Sequence, residues 1–262
     1  MPQWDNKQNG KLVNLIWRNC SDIVSVYKNA NQVLYRGVNG TPGKIFKGDP
    51  VENRKPMSSS SLLQQVYDAY LEKKGIAARR SNSIFCTADK QQAEMYGTLY
   101  IIFPINGFNY HWSQKHDDII LDSSAAEDIL NPKVVKAIAL DVRDHKLLNK
   151  PIPAFWKKYP ADEDPYYILA RQDWKTLIYD LASAGIPEAQ RLNLNNLGNP
   201  GAIESLYAPT DKGIEKCMQL GHEILIQGSY YAVAATESRA LLQGLGIWPK
   251  RSANLWAGEE PL

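Results

Sequence analysis

Apolar residues recur at helical spacing near the start of the chain. Leu12, Leu15, Ile16, Ile23, Val24 and Tyr27 predict a helix over 11–30, ended by Asn29–Asn31. QVLYRGV (32–38) reads as a short strand. Residues 39–60 are rich in Gly, Pro, Lys and Ser and predict a long loop, either a functional flap or an excursion. A second helix is predicted over 61–74, with Gly75 stopping it. SIFCT (83–87) is the next strand. Asp89 then caps a helix over KQQAEMY that ends at Gly97, and TLYIIFPI (98–105) is a buried strand. From about 124 to 219 the pattern is mainly helical, with Pro151, Pro153, Pro160 and Pro165 at a joint. HEILIQGSYYAVAA (222–235) reads as strand, Gly turn and strand, a β-hairpin. No internal repeat is evident. Strands at both ends with a helical insertion over 124–219 predict one elaborated α+β domain spanning 1–262.

Composition narrows this only a little. The chain has 262 residues, 44% hydrophobic and 22% charged, which excludes a disordered chain, a collagen and a coiled coil. Thirty basic against 28 acidic residues argue against coating nucleic acid by bulk charge, but not against a local basic groove. Cys20, Cys86 and Cys217 are sparse and odd in number, and there is no CxxC, so neither a disulfide framework nor a zinc site is expected. A reducing, cytoplasmic setting follows, with no signal peptide and no membrane span in the sequence given. Seven Trp and 14 Tyr serve either the core or a ligand site.

Three polar residues sit where strands are otherwise apolar. Arg36 either grips a phosphate bidentately or forms a surface ion pair, and Gly37 after it lets a ligand approach the backbone. Thr87 stands at a strand-to-helix corner, either orienting a carboxylate or simply starting the helix. Glu223 opens EILI, where a carboxylate needs a partner, a task or solvent.

Together these residues carry a resemblance. Arg in LYRG, the hydroxyl in Phe85-Cys86-Thr87 and Glu in HEILI resemble the Arg–Ser–Glu constellation of mono-ADP-ribosyltransferases, and AEMYG resembles the helix under that site. The order and spread of the three also fit. Thr87 replaces the first serine of the family's Ser-Thr-Ser motif, and Ala88 and Asp89 replace its remaining two residues. Gly221 stands two before Glu223, where many relatives carry the Glu or Gln that positions the acceptor. The resemblance implies an α+β fold of split β-sandwich type with the helical insertion, and NAD as the substrate. It further implies a phage or bacterial effector acting in the cytoplasm of its own cell or of a host.

In that reading Arg36 holds the NAD phosphates, Thr87 orients Glu223, and Glu223 stabilises the oxocarbenium-like cation formed as nicotinamide leaves. Nicotinamide departs from a cationic state, so no general acid is needed. Phe85 and Tyr96 are candidates to flank nicotinamide, and Ser83 is an alternative hydroxyl. The insertion, with Lys157 and Lys158 beside Trp156, is expected to read a macromolecular acceptor, protein or nucleic acid, or else to be plain core. Alternatives are an NAD glycohydrolase of the same fold and a non-catalytic interaction protein. Weaker signals are Arg79-Arg80 as a phosphate contact, a metal cluster of His111, His116, Asp117 and Asp118, and Cys86 with His222 as a nucleophile pair. No metal is expected. The chain has no GxGxxG and no Walker A loop, which argues against dehydrogenase and P-loop chemistry.

Overall fold

The computed structural model describes residues 6–40, 42–55, 60–119, 121, 123–158, 163–190 and 192–247. In chain order the elements are α1 (Asn6–Asn19), α2 (Ser21–Ala30), β1 (Tyr35–Val38), β2 (Ile45–Gly48), α3 (Ser61–Lys73), β3 (Ile84–Thr87), α4 (Lys90–Glu94), β4 (Thr98–Pro104), β5 (Asn109–Ser113), α5 (Ala126–Ile129), α6 (Pro132–Leu147), α7 (Ala154–Lys157), α8 (Pro165–Ala170), α9 (Trp174–Ser183), α10 (Leu194–Leu197), α11 (Pro200–Tyr207), β6 (Pro209–Thr210), α12 (Ile214–Leu220), β7 (Glu223–Gln227), β8 (Tyr230–Ala234) and α13 (Arg239–Leu245). No helix among the described residues is long and apolar enough to cross a membrane.

The chain divides into two compact units. One comprises residues 1–50, 83–113 and 210–262, the other 51–82 and 114–209. The first unit is mixed helix and sheet. The strands run in the order β2-β8-β4-β1-β3-β7-β5-β6, and the register pairs of the first seven are antiparallel. β1 and β3 meet at a single register pair, Tyr35 with Thr87, so the sheet forks there into two four-stranded halves. One core receives residues from both halves, among them Tyr100, Ile102 and Val233 on one side and Cys86, Ile224 and Trp112 on the other. Helices α1, α2, α12 and α13 add Ile16, Tyr27, Met218 and Leu241 to it.

Two of the connections that carry the chain from one half to the other are short. Residues 105–108 join β4 to β5, and Gly228-Ser229 join β7 to β8. They run side by side: the Ile105 N–H donates to the Ser229 carbonyl at 2.8 Å. Gly228 adopts φ +122, which only glycine adopts cheaply, and a Cβ there would meet Phe108 at 3.4 Å. The expected hairpin over 222–235 is therefore corrected. β7 pairs with β3 and β5, whereas β8 pairs with β2 and β4. A two-residue glycine connection marks a tight change of direction, and here it changes sheet halves.

Other differences have equally local causes. The helix expected over 11–30 breaks at Cys20, whose φ of −132° is non-helical and whose thiol donates to the Phe103 carbonyl at 3.4 Å. The loop expected over 39–60 contains the edge strand β2, paired to β8, because Ile45 and Phe46 find partners only across the sheet. β5 was not expected as a strand at all, since its His and Trp read as a polar cluster. The caps read from sequence are present: Asp89 accepts from the Gln91 and Gln92 N–H groups, Asn31 is left-handed at the end of α2, and Gly75 follows α3 at φ +82.

The second unit is helical, and its bounds differ from the insertion expected over 124–219. It takes in α3 and begins at 51, while α12 belongs with the sheet. Its core contains Leu63, Tyr67, Ile138, Leu169 and Leu177. Trp156 belongs to that core, packed on Phe155 at 5.3 Å between ring centres, so the expected exposed aromatic beside Lys157 and Lys158 is a buried one. Arg80 is buried here too. Its N–H donates to Asp68 Oδ1 and its Nη1 to the Ile119 carbonyl, while Arg79 pairs with Glu72 at 3.0 Å. The two arginines have structural employment within this unit.

Candidate functional site

β1, β3 and β7 are neighbours at the middle of the sheet, at its fork. Thr87 is the last residue of β3 and Glu223 the first of β7, and antiparallel pairing makes them direct cross-strand partners. Tyr35 of β1 pairs with Thr87 on the other side. Three segments far apart in sequence thus meet around one threonine.

Thr87 is buried and its hydroxyl both donates and accepts a hydrogen bond. Oγ1 donates to the Gly221 carbonyl at 2.9 Å and accepts from the Asp89 N–H at 3.0 Å. Its proton goes to backbone two residues before Glu223 and not to the Glu223 carboxylate, which ties Thr87 to the main chain that leads into β7. Gly221 ends α12 at φ +73, a left-handed position suited to glycine.

Arg36 follows Tyr35 and by strand alternation leans to the face of Cys86, opposite the face that Tyr35, Thr87 and Glu223 share. It is half-buried. Its Nη1 is fully buried with no hydrogen-bond partner, and it forms no ion pair with a described residue. The cation is felt by two neighbours, Cys86 and Tyr230. Burial pushes the Cys86 thiol up to about 12, with Arg36 pulling it down and Glu223 pushing it up. Cys86 therefore lies within reach of both site charges. Burial likewise takes Cys217 to about 12, and Glu223 adds to the shift. Tyr230 is raised chiefly by burial, against Arg36. Neither thiol is ionised at neutral pH, so a Cys86 nucleophile has no basis. His222 is engaged elsewhere, with Nδ1 2.9 Å from the Ser113 carbonyl and its ring on Trp112.

The remaining candidates separate. Phe85 is half-buried, two residues before Thr87 on the same face, and pairs with Leu225. Tyr96 is 60% exposed just beyond α4. Ser83 is buried just before β3, about 13 Å from Thr87 along an extended chain, so it does not replace that hydroxyl. Gly37 has a different task from the expected ligand approach. A Cβ there would lie 2.2 Å from the Ala93 carbonyl oxygen and 2.8 Å from the Tyr96 backbone carbon, so the close approach is made by the α4 segment. Gly37→Ala accordingly lowers stability by about 2–3 kcal/mol, seen as a lower thermal midpoint. An unchanged midpoint would contradict this packing.

His111 is buried in β5, and His116 packs on Tyr207 at 5.4 Å in the helical unit. No group of three His, Cys, Asp or Glu among the described residues is arranged to hold a metal ion. Sequence reading missed Cys86 and Tyr230 as neighbours of Arg36 and Asp89 as a neighbour of Gly221; each lies across the fold from its partner. No protein-family model, curated protein or solved structure matches the chain.

Proposed function

We propose that the chain is an NAD-dependent mono-ADP-ribosyltransferase acting on a macromolecular acceptor, protein or nucleic acid, with the helical unit as an elaboration on a split β-sandwich core. The observation that carries the reading is the meeting at one fork of Thr87 and Glu223, in register, with Arg36 on the adjoining strand holding a buried Nη1 that has no partner. A buried guanidinium nitrogen left unbonded costs free energy, and an anionic ligand oxygen satisfies it. The division of the sheet at the single Tyr35–Thr87 pair supports the split-sandwich reading.

The chemistry needs little more. Arg36 holds a phosphate of NAD. As the C1′–N bond breaks, its electron pair moves to the pyridinium nitrogen and neutral nicotinamide leaves. Glu223 faces the cation that develops on C1′ and stabilises it electrostatically. Thr87 keeps Glu223 in place through the Gly221 carbonyl. Phe85, two residues before Thr87 on the same face, and Tyr96, exposed just beyond α4, are assigned to nicotinamide.

One observation favours a second reading, NAD hydrolysis without transfer. Gly221 supplies no side chain beside Glu223 to orient an acceptor. Incubation with NAD labelled in the adenine ring decides between them. Transfer is expected to put label on a macromolecule in cell extract. Free ADP-ribose alone supports hydrolysis, and absence of NAD binding overturns both.

A further inference from the structure

We infer that Asp89 is the side chain that binds and deprotonates the acceptor, an inference that rests on the transferase reading above. Transfer needs a group that holds the incoming nucleophile next to C1′. The approach to the Glu223 strand offers none, because Gly221 has no side chain and the His222 ring is held at the Ser113 carbonyl and against Trp112. The space beside it belongs to Asp89. A Cβ built on Gly221 would lie 3.7 Å from the Asp89 Cβ. Thr87 fixes this neighbourhood, since its hydroxyl accepts from the Asp89 N–H and donates to the Gly221 carbonyl. Asp89 and Glu223 thus flank the same threonine, one by hydrogen bond and one by strand register.

Asp89 has spare capacity. Oδ1 accepts from the Gln91 and Gln92 N–H groups and caps α4, at 2.8 and 3.2 Å. Oδ2 bonds no described residue, and the side chain is exposed. A carboxylate oxygen with free lone pairs accepts from an N–H or O–H. Large apolar side chains stand exposed on either side in the chain: Leu220 before Gly221 at 50%, and Met95 and Tyr96 after α4 at 75% and 60%. The acceptor class is therefore a nitrogen or oxygen nucleophile with a hydrogen to give up. In the step, the nucleophile's lone pair forms the bond to C1′ as nicotinamide leaves with the old bonding pair. The displaced proton passes to Asp89 Oδ2 and then to water.

The test uses the full chain with adenine-labelled NAD and two small acceptors as probes, agmatine for nitrogen and methanol for oxygen. Asp89→Asn keeps Oδ1 for both cap bonds and loses the base. Asp89→Ser, also a good helix cap, is the second variant. The readout is the ratio of transferred label to free ADP-ribose, which a general loss of folding or of NAD binding does not move. Both variants are expected to lower that ratio about 100-fold. An unchanged ratio in the folded variants overturns the assignment. Wild-type protein that releases nicotinamide but labels neither probe nor any macromolecule in cell extract overturns it as well, leaving NAD hydrolysis standing. No nicotinamide release at all overturns the transferase reading itself.

Discussion

Glu223→Gln lowers nicotinamide release from NAD by about 100- to 1000-fold, the cost of removing one preorganised charge from a developing cation. The amide keeps the size of the side chain. The register of β7 against β3 is set by main-chain bonds and by the Thr87–Gly221 contact, so neither the fold nor NAD affinity follows the rate down. A second readout locates the charge independently of activity. Glu223 contributes to the raised thiol values of Cys86 and Cys217. Its removal shifts both downward, though burial, the larger cause, keeps them high. Thiolate absorbance followed against pH measures the shift. Near wild-type turnover, with thiols that do not move, would refute the place given to Glu223.

Arg36→Met is expected to separate stability from function. The guanidinium spends its burial on an Nη1 with no partner, and methionine removes that unsatisfied donor while filling similar space. The variant is as stable as wild type or more stable by about 1 kcal/mol, and its thermal midpoint does not fall. Its affinity for NAD falls about 10- to 100-fold, the worth of a charge-assisted phosphate contact. The loss appears in KM more than in kcat, because the phosphates bind alike in ground and transition states. Thermal denaturation and NAD titration by calorimetry check the two halves. A drop in thermal midpoint with NAD affinity retained makes Arg36 a structural residue and removes the anion site.

The sequence by itself determined the local elements with strong chemical punctuation. Asp89 announces α4 because a carboxylate before a helix satisfies its first N–H groups, and Gly75 announces the end of α3 because glycine takes positive φ at no cost. Arg36, Thr87 and Glu223 were legible as candidates because each interrupts an apolar strand. What the tertiary structure alone decided is how strands find their partners. β7 and β8 are separated by two residues yet pair with different strands, since a glycine turn permits both a hairpin and a change of sheet half, and only the competing partners β3, β5, β2 and β4 choose. The IFKG strand lay hidden in polar surroundings for the same reason: it pairs with β8 and sets Phe46 on Tyr100 and Tyr230, partners far away in the sequence. Gly37 needed the backbone of the α4 segment to show why it lacks a side chain, and Trp156 needed the helical core to show that it is buried. The hydroxyl of Thr87 bonds the carbonyl of Gly221, 134 residues away, a contact that no local pattern encodes because it exists only once β3 and β7 lie side by side.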